Sequence, residues 1–152
     1  MMQSTFEINH TSRKMLLQFL ENHTLEQLNK IPEGFSNNLI WNIGHIVTVQ
    51  QMLVYNLSGL PMMISDEMVE TYKKGTKPEG EITQEEVNEI KELLFSTLEQ
   101  TKEDFANDIF GEYMEFTTGV GFVIKNAKAA MEFNNYHEAL HTGIMMQIRK
   151  FL

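Results

Sequence analysis

The residues best suited to chemistry in this sequence are three histidines on two predicted helices. His137 and His141 lie four residues apart, and an i, i+4 pair shares one helix face, so both imidazoles can reach one metal ion. His45 lies on the apolar stripe of another predicted helix. Three imidazoles from two helices would leave coordination positions for water or substrate, which is typical of reactive sites. Zinc suits such ligands, and Ni²⁺, Fe²⁺ and Mn²⁺ remain alternatives. From spacing alone, the other interpretation stays open: a set of core histidines hydrogen-bonded within the protein.

The segment from His137 to His141 also matches the H-E-x-x-H signature of zinc metalloproteases, in which the glutamate activates the zinc-bound water. Most of those enzymes take a third ligand from further along the chain. Residues 142–152 contain no His, Asp or Glu. The sequence also lacks the strands that would hold a peptide. We therefore do not predict a protease, and we expect Glu138 at the solvent edge of its helix.

Helical periodicity and end signals predict four long helices that would position these histidines. They cover residues 4–23, 37–57, 83–107 and 125–151. Without a strand-rich region, this pattern predicts an all-α fold, a four-helix bundle forming a single domain over residues 1–152. Long connections follow the second helix (58–82) and the third (108–124). The first connection could contain a short helix over 66–74, and the second a small hairpin or an irregular cap.

Two of the predicted helices begin with capping-box spacing. Ser4 and Glu7 have this spacing in the first helix, and Thr83 and Glu86 have it in the third. We expect both boxes to form.

The last helix is predicted to bury one continuous stripe. Its members are Ala130, Phe133, His137, Leu140, His141, Ile144, Ile148 and Phe151. Gly143 follows the histidine motif and is expected to allow close helix packing.

The charge composition argues against nucleic-acid partners. The 152 residues include 12 basic and 21 acidic residues, for a net charge of −9, whereas nucleic-acid binders carry a basic footprint. Residues 66–115 hold most of the excess acid, which we interpret as a solvated helix face.

No apolar run approaches the roughly 18 to 20 residues that span a bilayer, so we do not expect a membrane partner. The absence of cysteine excludes a disulfide framework and a cysteine nucleophile, and it fits a cytoplasmic protein.

Two short motifs in this sequence resemble those of DinB/YfiT-like proteins. The segment Trp41-Asn42-Ile43-Gly44-His45-Ile46 resembles the family's W-x-x-G-H-I element. The segment from His137 to Gly143 resembles its H-E-x-x-H-x-G element. The resemblance covers nearly the whole chain. It implies a four-helix bundle, commonly a homodimer, with a divalent metal ion (zinc or nickel) bound by His45, His137 and His141.

Members of that family with known activity are metal-dependent transferases that use a low-molecular-weight thiol such as bacillithiol, mycothiol or glutathione. The resemblance therefore implies that a metal activates such a thiol for attack on a small-molecule electrophile. Because the chain has no cysteine, the sulfur must come from a cosubstrate. Trp41 and Met52 could line the pocket or simply pack in the core. No catalytic side chain is assigned.

Three other functions remain open at this stage. The site could support metal-dependent hydrolysis or isomerisation. It could belong to a non-catalytic bundle that binds metal or senses a ligand in a stress response. The chain could also be a plain interaction bundle without metal.

Overall fold

Six α-helices and one small hairpin make up the structure, a computed structural model that describes residues 2–152. The helices are α1 (Gln3–Glu21), α2 (Leu25–Asn29), α3 (Leu39–Val54), α4 (Asp66–Tyr72), α5 (Gln84–Ala106) and α6 (Ala127–Ile148). The strands are β1 (Phe116–Thr117) and β2 (Val123–Ile124), which pair antiparallel. Single 3₁₀ turns, Asn56–Ser58 and Arg149–Phe151, follow α3 and α6. The prediction of an all-α fold is confirmed.

The four long helices form a bundle in which α3 and α1 each pack against both α5 and α6. Helix α3 carries no charged residue and is buried almost all round, which suits a central helix. Helix α5 is amphipathic, and it buries Val87, Ile90, Leu94 and Leu98 while its acidic faces stay in solvent. None of the helices within residues 2–152 has the length and apolar character needed to cross a membrane.

The helix ends follow their capping signals, with one exception. At the start of α5, Thr83 and Glu86 form the predicted capping box, with the Thr83 backbone N–H donating to the Glu86 carboxylate at 2.6 Å. The predicted box at Ser4 and Glu7 is wrong. Helix α1 begins at Gln3, so Ser4 is already helical, and Glu7 accepts a hydrogen bond from the Gln3 side chain instead.

The short helix α2 was not predicted, although it carries a recognisable signal. Thr24 and Gln27 form a capping box at its start. The helix is only five residues long, and only Leu28 of it is fully buried. Periodicity over one turn is too short to distinguish such a helix from a loop.

The two long connections contain the elements that the sequence suggested. The first holds α4, and the second holds the hairpin, with Phe116 opposite Ile124 and Thr117 opposite Val123. The ring of Phe122 stacks on that of Phe133, with centroids 5.7 Å apart. The hairpin is thereby held against the N-terminal half of α6.

Helix α6 is rotated relative to the predicted stripe. Leu140, Ile144 and Phe151 are 47%, 37% and 57% exposed, so the expectation that they are buried is wrong. The buried face instead contains the polar residues Asn134 and Glu138, which α1 covers. A Cβ atom added to Gly143 would meet nothing within 4 Å, so this glycine does not serve close helix packing.

Candidate metal centre

The three predicted histidines come together between α3 and α6. One ring nitrogen from each of His45, His137 and His141 lies within 4.8 Å of the other two. The Nε2 atoms of His45 and His137 are 3.2 Å apart. His45 is buried, and the other two rings are half-buried. This group could hold a metal ion, as the spacing predicted.

Gly44 allows the close approach that orients His45. A Cβ atom at this position would lie 2.7 Å from the ring of Tyr72, closer than packed atoms come. Because Gly44 has no side chain, α4 can lie directly against α3. The carbonyl oxygen of Tyr72 then accepts a hydrogen bond of 2.6 Å from Nδ1 of His45. Gly44 thus allows the helix contact that brings the Tyr72 carbonyl within hydrogen-bond distance of His45.

Two of the three imidazoles have a hydrogen-bond partner on the side away from the centre. Nδ1 of His45 donates to the backbone carbonyl of Tyr72, and Nδ1 of His141 lies 2.8 Å from Oδ1 of Asn42. Nδ1 of His137 is buried and has no hydrogen-bond partner within residues 2–152. Metal-binding histidines usually donate their second N–H to such a partner, which fixes the ring and its tautomer. Two of the three rings satisfy this condition.

Burial keeps the three imidazoles neutral. Two effects lower the pKa of His137 to about 3: loss of hydration, which is the larger, and repulsion from the rings of His141 and His45. Loss of hydration and the neighbouring His45 lower the pKa of His141 to about 4. Burial also lowers the pKa of His45. A histidine binds metal only as the neutral ring, so at neutral pH the triad loses no net proton when an ion binds.

Trp41 covers one side of the centre. Its ring is nearly parallel to that of His45, with centroids 4.7 Å apart, and its Nε1 donates to Thr76 at 3.3 Å. Trp41 also lines a cavity of about 360 Å³ together with Tyr72 and Thr76. Met52 is half-buried on α3, and its role in lining a pocket remains a prediction.

Glu138 does not lie at the solvent edge of α6, and that expectation is wrong. Its side chain is completely buried and accepts hydrogen bonds from four side chains. The donors are Asn9 (2.9 Å), Ser12 (2.7 Å), Arg13 (2.9 Å) and Asn134 (2.9 Å). Arg13 is also completely buried and forms an ion pair with Glu138. This carboxylate is held between α1 and α6, so it is not placed to act as the base of a zinc protease.

The sequence contained a signal for this buried network. Asn9 and Arg13 fall on the same face of α1 as Phe6 and Leu16, at spacings of three and four residues. Polar residues on an apolar helix face require a buried partner. That partner was not predicted, because Glu138 was expected at the solvent edge of its helix.

Comparison with known proteins places the chain in a family. A comparison with curated proteins gives no significant match. Among solved structures, the fold is similar to the crystal structure of a conserved protein from Enterococcus faecalis, with a TM-score of 0.68 and 12% sequence identity. The similarity covers 99% of this chain and 96% of the other. The family model of the DinB superfamily matches residues 9–145, a span that includes all three histidines. The chain belongs to the DinB superfamily.

Proposed function

We propose that this protein binds one divalent metal ion through His45, His137 and His141 and acts as a thiol transferase. In this proposal, a low-molecular-weight thiol attacks a small-molecule electrophile at the metal centre. The observation that carries the proposal is the convergence of three neutral imidazoles within 4.8 Å of one another. Zinc or nickel is the proposed ion, since both accept neutral imidazole ligands.

The donor set favours a reactive site over a structural one. No fourth His, Asp or Glu within residues 2–152 joins the group, and structural zinc sites use four protein ligands. When bound, a divalent ion would lower the pKa of a thiol and so supply a thiolate at neutral pH. Neutral ligands add no negative charge, so the full positive charge of the ion remains available to hold the thiolate. With no cysteine in the chain, the thiol is a cosubstrate.

Elemental analysis of the protein purified without a histidine tag tests the metal site first. We expect about one zinc or nickel ion per chain, and much less in the His137→Ala variant. The matched control is His10→Ala, because His10 lies on α1 and belongs to no ligand group. A metal content in His137→Ala equal to that of the wild type would contradict the assignment of the ligands.

The transferase activity is tested separately, with the metal-loaded protein, a panel of thiols and a haloaromatic electrophile. Conjugation should depend on the thiol, and it should be lost in His137→Ala and retained in His10→Ala. Normal metal content without conjugation of any thiol would leave a metal protein that is not a thiol transferase. In that case the same preparation is assayed with ester and amide substrates, which tests metal-dependent hydrolysis.

We also propose that the protein forms a homodimer through α6. The outward residues Tyr136, Leu140 and Ile144 are 48%, 47% and 37% exposed. Between Phe133 and Gln147, α6 has one charged residue, Glu138, and it is buried. A second copy, also of charge −9, would be repelled least at this uncharged face. Light scattering should therefore give a dimer, and Leu140→Glu should give a monomer.

A further inference from the structure

We propose that Asn42 is a positioning residue that holds His141 in the tautomer needed for metal binding. We further propose that His137 is the one member of the triad whose ring proton must move when an ion enters. The inference rests on the proposed metal site, although its first test uses protein without metal.

The orientation of the Asn42 amide follows from its own donors. Asn42 is completely buried, and its Nδ2 donates to the backbone carbonyl of Asn38 at 2.7 Å and to the side-chain oxygen of Asn37 at 2.9 Å. A backbone carbonyl can only accept, so the nitrogen of the amide must be on that side. Oδ1 is therefore the atom that faces Nδ1 of His141, at 2.8 Å.

This orientation determines where the proton of His141 lies. An amide oxygen can only accept, so Nδ1 of the neutral ring must carry the hydrogen. Nε2 then has a free lone pair that points away from Asn42. The same reasoning applies to His45, whose Nδ1 donates to the backbone carbonyl of Tyr72. Both rings are thus set to bind an ion through Nε2 before any ion is present.

His137 differs, because its ring nitrogens have other neighbours. Its Nε2 lies 3.2 Å from Nε2 of His45, which offers only a lone pair. A hydrogen bond at this contact requires that Nε2 of His137 carry the proton. Its Nδ1 has no partner within residues 2–152. Without metal, His137 is therefore the Nε2–H tautomer, opposite to the other two.

Metal binding requires this one proton to change place. Nε2 of His137 releases its proton to water, and Nδ1 takes up a proton from water. The ring stays neutral, and no net proton is released. Because Nδ1 is buried without an acceptor, His137 is the ligand that gains least from its surroundings when it binds.

Two substitutions at Asn42 separate the acceptor role from general packing. Both Asn42→Leu and Asn42→Asp lose the two hydrogen bonds that the amide donates. Only Asn42→Leu also loses the acceptor for His141. Gln50→Leu on the same helix is a further control, since it removes a buried hydrogen bond to Thr101 of α5 and not one to a histidine.

The first measurement is a long-range ¹H–¹⁵N correlation spectrum of metal-free protein labelled in histidine, with single histidine variants for assignment. We expect His45 and His141 as Nδ1–H tautomers and His137 as Nε2–H. Asn42→Leu should convert His141 at least in part to Nε2–H, whereas Asn42→Asp and Gln50→Leu should not. Wild-type His141 as Nε2–H would overturn the role of Asn42, and this wild-type result stands even if Asn42→Leu does not fold.

The second measurement is Zn²⁺ affinity by competition with a chelator. Asn42→Leu should bind Zn²⁺ about 10- to 100-fold more weakly than the wild type, the usual effect of losing an outer partner. Asn42→Asp, which keeps an acceptor for His141, should bind Zn²⁺ at least as tightly as the wild type, and Gln50→Leu should bind it about as tightly. On Zn²⁺ loading, only His137 should change tautomer. Equal affinity in all variants, or a tautomer change at His141, would overturn the proposal. If the wild type has the stated tautomers yet binds no Zn²⁺, the proposed function fails on its own.

Discussion

Replacing Glu138 with alanine should be among the most destabilising single changes in this protein. Its carboxylate is fully buried, and so is its ion-pair partner Arg13. Removing one member of such a pair leaves an uncompensated charge in the interior, which costs about 3–5 kcal/mol. A domain of this kind has a total free energy of unfolding of about 5–15 kcal/mol. The loss is therefore a substantial part of the stability, and the melting temperature should fall by about 6–20 °C.

Urea denaturation at pH 7, followed by circular dichroism, measures this loss. The midpoint should shift while the m-value stays constant, as for a change in stability alone. Glu85→Gln is the matched control, because Glu85 lies exposed in the first turn of α5 and should change stability by no more than about 0.5 kcal/mol. The double variant Arg13→Met with Glu138→Leu replaces both charges by apolar side chains. It should recover about 2 kcal/mol or more of the loss, since apolar replacements of buried pairs are tolerated.

Two outcomes would refute this reasoning. If Glu138→Ala were within about 1 kcal/mol of the wild type, the carboxylate would not be compensating the buried guanidinium, given the cost expected for a broken pair. If the double variant were as unstable as Glu138→Ala, the loss would come from packing or from the other donors to Glu138, which are Asn9, Ser12 and Asn134. The uncompensated charge would then not be its cause.

Three further predictions concern the metal centre. Gly44→Ala should lower the free energy of unfolding by about 1–3 kcal/mol through overpacking against α4, and it should weaken Zn²⁺ binding. Gly143→Ala, at an open helix position, is the control and should have neither effect. Equal Zn²⁺ affinity in the two variants would contradict the role of Gly44. The pKa of His137 falls from 6.5 to about 3 on folding and that of His141 to about 4, so below about pH 6.5 the unfolded chain binds protons that the folded protein does not. The stability of the metal-free protein should therefore decrease as the pH is lowered from 6.5 towards 4, less steeply in His137→Gln, and identical urea midpoints at pH 7 and 4.5 would be inconsistent with this. Trp41 is the single tryptophan and stacks on the ring of His45. Ni²⁺ bound at the proposed site should therefore quench its fluorescence with a 1:1 endpoint that is absent in His137→Ala. Unchanged fluorescence at saturating Ni²⁺ would argue against binding at this site.

The sequence was sufficient to predict the bundle because its long helices carry strong periodic and capping signals. The box at Thr83 and Glu86 formed as expected, and the short helix predicted over 66–74 is present as α4. The box at Ser4 failed because an i, i+4 contact from Gln3 engages Glu7, and spacing alone cannot distinguish the two arrangements.

The convergence of the three histidines was also predictable, whereas their surroundings were not. The spacing of His137 and His141 depends only on helix geometry. The buried side of α6 depends instead on its packing against α1. Arg13 on α1 forms a buried ion pair with Glu138, and Leu140 is left exposed. Predicting the buried face from apolar residues alone misses such a polar interior, because that method treats every charged residue as exposed and ignores buried ion pairs. The partners of the rings could not be predicted either, since Asn42 and the Tyr72 carbonyl depend on the tertiary fold.

His45 and His141 differ in how easily mutation can remove their hydrogen-bond partners. His45 donates to a backbone carbonyl, and every amino acid at position 72 supplies that atom. A Tyr72→Phe change keeps it unaltered, so this half of the site is insensitive to point mutation as long as α4 stays in place. His141 depends on one amide oxygen, which a single substitution at Asn42 deletes. Relatives that lose this asparagine should therefore supply another acceptor for the corresponding ring, whereas the residue aligned with Tyr72 is free to vary in its polar group.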